Sequence, residues 1–282
     1  MKRVKAIHGP QNLLTSLVLI FPLFIIYQIG VLFTLPLLNG ADFLTVFLFR
    51  KVGLTTGAYL GYTAAVTVLF AIAVAVLRRK QRFDPGLILP VLIESAIYAM
   101  LMGTLIIFVM TRLLGISPQL AGGGGLIATQ SLGTRAVMSI GAGVYEETVF
   151  RLGLVGGVVA LLNKALNLHR WLAVAIAFVV SSLLFSAMHH IPPYGDPLHL
   201  GIFTFRFLAG LCFATIFWTR GFAVAVYTHA LYGNTASASV SVTYRQLLKD
   251  RTVRAGDKLV LGSAAAGYSM VMVTGTWTGS QS

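Results

Sequence analysis

One cysteine in 282 residues, Cys212, leaves no partner for an intrachain disulfide and too few thiolates for a Cys-rich zinc site. Charge is nearly as scarce: Lys, Arg, Asp and Glu make up 10% of the chain, where a soluble domain carries about 25%. Only eight residues are acidic against 21 basic, giving a formal net charge of +13. Such a charge could suit nucleic acid, but the Lys and Arg residues lie mostly in short connectors between apolar runs, which is the positive-inside pattern of a membrane protein and argues against a nucleic-acid partner. Several hydrolase signatures are missing too. No His-Glu-x-x-His is present for a site-2-type zinc protease, and no Gly-x-Ser-x-Gly stands near a catalytic His for a rhomboid-like serine enzyme. The one Gly256-Asp257 lies in polar sequence, and no Walker Lys follows the glycine run of Ala121 to Gly125, which reads as a flexible connector.

What is abundant is apolar sequence, 57% of the chain, with a mean hydropathy of +0.84. Runs of about 20 apolar residues, the length that crosses a bilayer, fall near 12–38, 54–77, 87–114, 136–162, 171–191, 198–218 and 221–238. A weaker eighth, 259–277, is rich in Gly, Ser and Thr and follows a polar segment, Tyr244 to Lys258, with five basic residues. The expectation is an all-α, polytopic transmembrane bundle of seven or eight spans. It divides into N-terminal helices (1–120), a helical core (130–238), and a polar segment with a weak last span or interfacial tail (239–282). Lys2, Arg3 and Lys5 ahead of an apolar run resemble a signal peptide, yet no Ala-x-Ala site interrupts the run before Leu38, so a retained first span is expected. The N-terminus, Arg78 to Arg82, the 163–170 loop and Arg220 fall on one side, which the positive-inside rule makes cytoplasmic. The basic 244–258 segment then falls outside, against the rule. No internal repeat supports an inverted-repeat transporter.

Within this apolar chain sits Tyr145-Glu146-Glu147-Thr148-Val149-Phe150-Arg151. One charged side chain at bilayer depth costs roughly 2.5 to 3.5 kcal/mol on insertion scales, so adjacent carboxylates there need partners, a water-filled cavity or a task. Glu147 and Arg151, four apart, share a helix face and can pair. Glu146 is turned from them by about 100°, and a desolvated carboxylate there can take a proton from water. Otherwise both acids simply pair with Arg151 and Arg206 to pin helices together. Histidines follow on later spans: His189, one turn after Phe185 at the close of the fifth, with His190 beside it, and His229 about eight residues into the seventh. Each alone reads as a core or interfacial residue. Together with the glutamate they form a set suited to metal or proton chemistry.

Glu-Glu-x-x-x-Arg at 146–151, Phe-x-x-x-His at 185–189 and a third helix bearing His229 resemble, in that order, the three motifs of the CPBP family of intramembrane proteases, which includes the CAAX prenyl proteases and Abi-like proteins. The resemblance covers roughly residues 130 to 236, with Phe207-Leu-Ala-Gly210 and Thr219-Arg220-Gly221 ahead of the last His agreeing as well. It implies an intramembrane endopeptidase of the inner (plasma) membrane acting on a membrane-anchored peptide or protein, with the bilayer as its other partner. Roles in peptide processing or bacteriocin immunity come from the resemblance alone. It further implies that Glu146 activates water, that His189 orients it or accepts its proton, and that His229 and a nearby amide stabilise the oxyanion, with Glu147 and Arg151 completing the motif. Members are described both as metalloproteases and as glutamate-dependent enzymes, so Zn2+ on Glu146, His189 and His229 and a metal-free site both stay open.

One departure stands out. Where the family places Asn or Asp four residues after the His, this chain has Gly233, and Asn234 comes one residue later. On a regular helix Asn234 points elsewhere unless Gly233 breaks the winding. His190 is a possible substitute, though a loop-facing place suits it better. Glu94, mid-span in the third run, matches no motif; it lines the same cavity or pairs with another span. Against the protease stands a non-catalytic scaffold, immunity protein or proton-coupled transporter using the same residues as a structural network.

Overall fold

The computed structural model describes residues 11–34, 55–116, 131–191, 198–232, 258–264 and 270–276. Seven helices occur among them: α1 (Leu13–Thr34), α2 (Thr56–Arg78), α3 (Pro85–Leu113), α4 (Gly133–Ala165), α5 (Arg170–Met188), α6 (Leu200–Arg220) and α7 (Phe222–Tyr232). The first six are long and apolar enough to cross a membrane. Their outward faces carry bare apolar side chains such as Ile26, Phe33, Leu69, Leu101 and Trp171, which only a hydrocarbon solvent tolerates over so wide a surface. The chain is a multi-pass helical membrane protein.

Helix ends follow from local chemistry. Asn12 Oδ1 accepts from Thr15 N at 2.8 Å to start α1, Thr55 and Ser131 cap α2 and α4 in the same way, and Asp84 caps the tight first turn of α3. Gly221, at φ +110, ends α6, with its N–H returning to the carbonyls of Ile216 and Phe217. A side chain there would be strained, so glycine permits the reversal into α7. The connector after α2 folds onto the start of α1: Asn12 Nδ2 donates to Arg82 O and Leu14 N to Gln81 Oε1, both at 2.8 Å. Arg170 lies over the Trp218 ring at 5.6 Å. The basic connector, the start of α1, the start of α5 and the end of α6 thus share one end of the bundle, as the charge pattern anticipates.

Two runs are described only in part. Of the seventh, 221–238, the described residues form an eleven-residue helix, α7, with 233–238 outside the described residues. At 1.5 Å per residue those eleven residues reach about 16 Å, half a hydrocarbon core. It is apolar all round, almost wholly buried, and packs on α1, α3, α4 and α6, the place such a helix must take. The expected eighth span, 259–277, instead holds two antiparallel strands, β1 (Lys258–Ala264) and β2 (Met270–Thr276), paired from Lys258 opposite Thr276 to Ala264 opposite Met270. Its Val and Thr residues favour a pleated strand over a helix. The glycine run at 121–125 lies outside the described residues.

Glycines set how closely helices approach. A Cβ on Gly143 of α4 would stand 2.7 Å from Val226 O and 2.8 Å from Ala230 N of α7, and one on Gly210 of α6 would stand 2.9 Å from the Ser182 Cβ of α5. These contacts draw α4 to α7 and α5 to α6, the small-residue packing of membrane helices.

Candidate active site

The paired glutamates lie where α4 departs from α-helical winding. Residues Ala142–Glu146 and Thr148–Val155 are wound as π-helix, a rare conformation that clusters at functional sites. Neighbours supply hydrogen bonds to its carbonyls: Ser181 Oγ of α5 donates to Phe150 O and Thr148 Oγ1 to Val144 O, both at 2.6 Å.

Glu147 and Arg151 pair as their spacing predicts, Oε2 to Nε at 3.2 Å, with both side chains fully buried. Arg151 also donates from Nη2 to Gly210 O at 3.3 Å and sits over the rings of Phe185 (4.5 Å) and Phe213 (5.2 Å). The second oxygen of Glu147 accepts from His229 Nδ1 at 2.7 Å. One carboxylate oxygen thus holds His229 and the other faces the Arg151 guanidinium, with the whole side chain buried.

His229 stacks on Phe213 (4.3 Å between ring centres, 13° between planes), and its Nε2 faces Glu146 Oε2 at 3.6 Å. His189, the residue closing α5, meets the edge of Phe185 and presents Nε2 to the same oxygen at 3.7 Å, while its Nδ1 bonds Phe185 O at 2.7 Å. A carbonyl and a paired carboxylate only accept, so both Nδ1 atoms carry the hydrogen and the tautomers follow from the network. Each Nε2 then offers a lone pair, or an N–H when its ring is charged. Both Nε2 atoms thus stand 3.6 and 3.7 Å from one carboxylate oxygen, just beyond direct hydrogen-bond distance. Access is from the His189 side, whose side chain is 23% exposed against 9% for His229 and 10% for Glu146.

Two imidazole nitrogens and a carboxylate, with the outer ring N–H groups held by a carboxylate and a carbonyl, are the donor types of a catalytic zinc site. The placement does not follow the type: among the described residues no three His, Cys, Asp or Glu side chains are arranged to hold a metal ion.

The structure therefore brings Glu146, Glu147, Arg151, His189 and His229 together. Asn234 and Gly233 lie outside the described residues. His190 faces away and stacks on Phe203 of α6 at 5.8 Å. Glu94 does not line this site; it pairs with Arg220, accepts from Tyr98 Oη at 2.8 Å, and borders an open groove of about 490 Å³ with Leu89, Pro90, Ile93 and Ile97. Phe213 escaped the sequence reading, since one more Phe in an apolar run carries no signal. Arg206, weighed there only as a pairing base, is near enough for its charge to act on both Glu146 and His189, and a basic residue inside an apolar run was the clue to it.

No curated protein and no solved structure matches the chain. Residues 223–277 match the model for the C-terminal part of 3-oxoacyl-[acyl-carrier-protein] synthase III, a stretch that contains only His229 of the site. Residues 128–234, which carry Glu146, Glu147, Arg151, His189 and His229, match the model of the Rce1-like type II CAAX prenyl endopeptidases, in agreement with the CPBP resemblance of the three motifs.

Proposed function

We propose that the chain is an intramembrane endopeptidase that hydrolyses a peptide bond in a membrane-anchored substrate of CAAX type. The observation that carries this reading is the convergence of two Nε2 atoms, each with its tautomer fixed from behind, on one glutamate oxygen beside an opening. Glu146 takes a proton from a water as the water oxygen attacks the peptide carbonyl carbon. His189 orients that water through Nε2. His229, backed by Glu147, stands beside the developing oxyanion of the tetrahedral intermediate and stabilises it through Nε2 whenever that nitrogen carries a hydrogen. The proton on Glu146 then passes to the leaving amine as the C–N bond breaks, which restores the carboxylate. Aromatic rings and the buried Glu147–Arg151 pair keep bulk water from all but the open flank.

The test is cleavage of membrane-anchored peptides, prenylated and not, by detergent-purified wild type beside Glu146→Gln and His189→Ala. Folded wild type is expected to cleave, and Glu146→Gln to lose about two to four orders of magnitude in turnover, the range a general base supplies. Full cleavage by Glu146→Gln, or none by folded wild type, would refute the reading. Inactivation by a chelator, restored by Zn2+, is the result that would add an ion at Glu146, His189 and His229. We also propose an inner-membrane location with the basic end cytoplasmic, which reporter fusions at the helix connectors would read.

A further inference from the structure

Where α1 and α2 meet the stretch of α4 just before the glutamates lies a second buried polar cluster that no motif includes. Gln28, fifteen residues into α1 and 2% exposed, donates from Nε2 to Tyr145 Oη at 2.5 Å. Its Oε1 accepts from Tyr59 Oη of α2, whose single hydrogen also has Gln28 O within reach at 3.0 Å, and Thr63 Oγ1 stands 3.5 Å from Oε1. Tyr27 packs its ring against Tyr145 at 5.3 Å and over Gly141, where no Cβ would fit, while Val137 of α4 fills the space beside Gly30 of α1. α1 is therefore seated directly on the stretch of α4 that precedes Glu146, and three helices meet at one amide.

Tyr145 and Glu146 are neighbours, so their side chains leave α4 roughly a quarter-turn apart. Holding Tyr145 against α1 sets the rotation of α4 about its axis, and that rotation decides whether Glu146 faces the two histidines. Glu147 is held from the opposite flank by His229 and Arg151. A π-wound segment has no α-helical register of its own to fall back on, so side-chain anchors on both flanks must fix its facing.

We propose that Gln28, Tyr59 and Tyr145 are positioning residues that lock the rotation of α4 and so aim Glu146, making α1 and α2, which lie outside the matched residues 128–234, part of the working site. This rests on the endopeptidase reading for its kinetic consequence only. Gln28→Met keeps volume and removes the hydrogen bonds; Tyr145→Phe removes a single hydroxyl and serves if the first variant does not fold. In folded variants kcat is expected to fall at least about tenfold, since misplacement by an ångström is enough for such a loss, with KM held within about twofold. The second readout needs no activity. In a Cys212→Ala background, the alkylation rate of Glu146→Cys by a small water-soluble haloacetamide reports what position 146 faces, and adding Gln28→Met or Tyr145→Phe is expected to change it at least about fivefold, because thiol reactivity follows exposure and surroundings. Unchanged kcat in folded variants, or an unchanged alkylation rate, overturns the proposal. If wild type cleaves nothing, the endopeptidase reading falls by itself and the alkylation rate decides for or against the lock.

Discussion

Arg151 is fully buried, with one carboxylate partner, Glu147 Oε2 at 3.2 Å, one carbonyl, Gly210 O at 3.3 Å, and the faces of Phe185 and Phe213. Replacing Glu147 by Leu removes the only negative group in contact with it and strands a guanidinium in an apolar interior. Breaking a buried pair from one side costs about 3 to 5 kcal/mol, a large share of the 5 to 15 kcal/mol that holds a typical domain. Arg151→Met should cost a similar amount from the other side, because Glu147 keeps only the His229 Nδ1 hydrogen. The double variant strands no charge and leaves just that N–H without an acceptor, a loss of about 1 to 3 kcal/mol. It should therefore be more stable than either single variant. Unfolding of purified protein over a series of SDS fractions in a mild detergent, followed by helical circular dichroism, reads all four corners of the cycle. A double variant whose loss equals the two single losses added would show no coupling and refute the account of the pair.

Other outcomes follow from the same geometry. Gly143→Ala puts a methyl group 2.7 Å from Val226 O, so α4 and α7 must part; a loss of about 1 to 3 kcal/mol is expected, with turnover reduced because His229 moves with α7, whereas Gly157→Ala, with nothing within 4 Å, should be neutral or gain up to about 1 kcal/mol. Phe213→Leu removes the ring on which His229 stacks at 4.3 Å, and kcat in the peptide assay should fall while the protein still folds. Glu94→Gln breaks a pair whose side chains are 22% and 42% exposed, so stability should change by no more than about 1 kcal/mol and cleavage should be unaffected; lost cleavage would mean that the Glu94 groove belongs to the site after all.

Glu146, Glu147, Arg151, His189 and His229 were legible because polar side chains in apolar runs are costly enough to be noticed one by one, and the spacing from Glu147 to Arg151 fixes their common face. The bond from Glu147 to His229 was not. It depends on how closely α4 approaches α7, set by Gly143 against Val226 and Ala230, and a glycine in a run of small residues does not name its neighbour. Gln28 was similarly silent: an amide in a span costs little alone, and its partners come from α2 and α4, 31 and 117 residues away. For 259–277 the hydropathy window outweighed the β-branched residues that the strands contain.

Two adjacent carboxylates on one buried helix repel each other, and the site is intelligible as the way this chain separates their tasks. Glu147 is fully buried, with Arg151 supplying a full positive charge and His229 a hydrogen bond. Glu146 meets ring nitrogens whose Nδ1 hydrogens are held elsewhere, feels the charge of Arg206, and borders the open flank. Exchanging the two surroundings would require turning α4 by one residue. Side-chain anchors oppose that turn from both sides, Tyr145 on Gln28 and Glu147 on His229. The helix that carries the acids is thus held by the residues on either side of Glu146, so losing either anchor should harm the chemistry before it unfolds the bundle, a separation that kcat and the unfolding midpoint, measured on the same variants, would reveal.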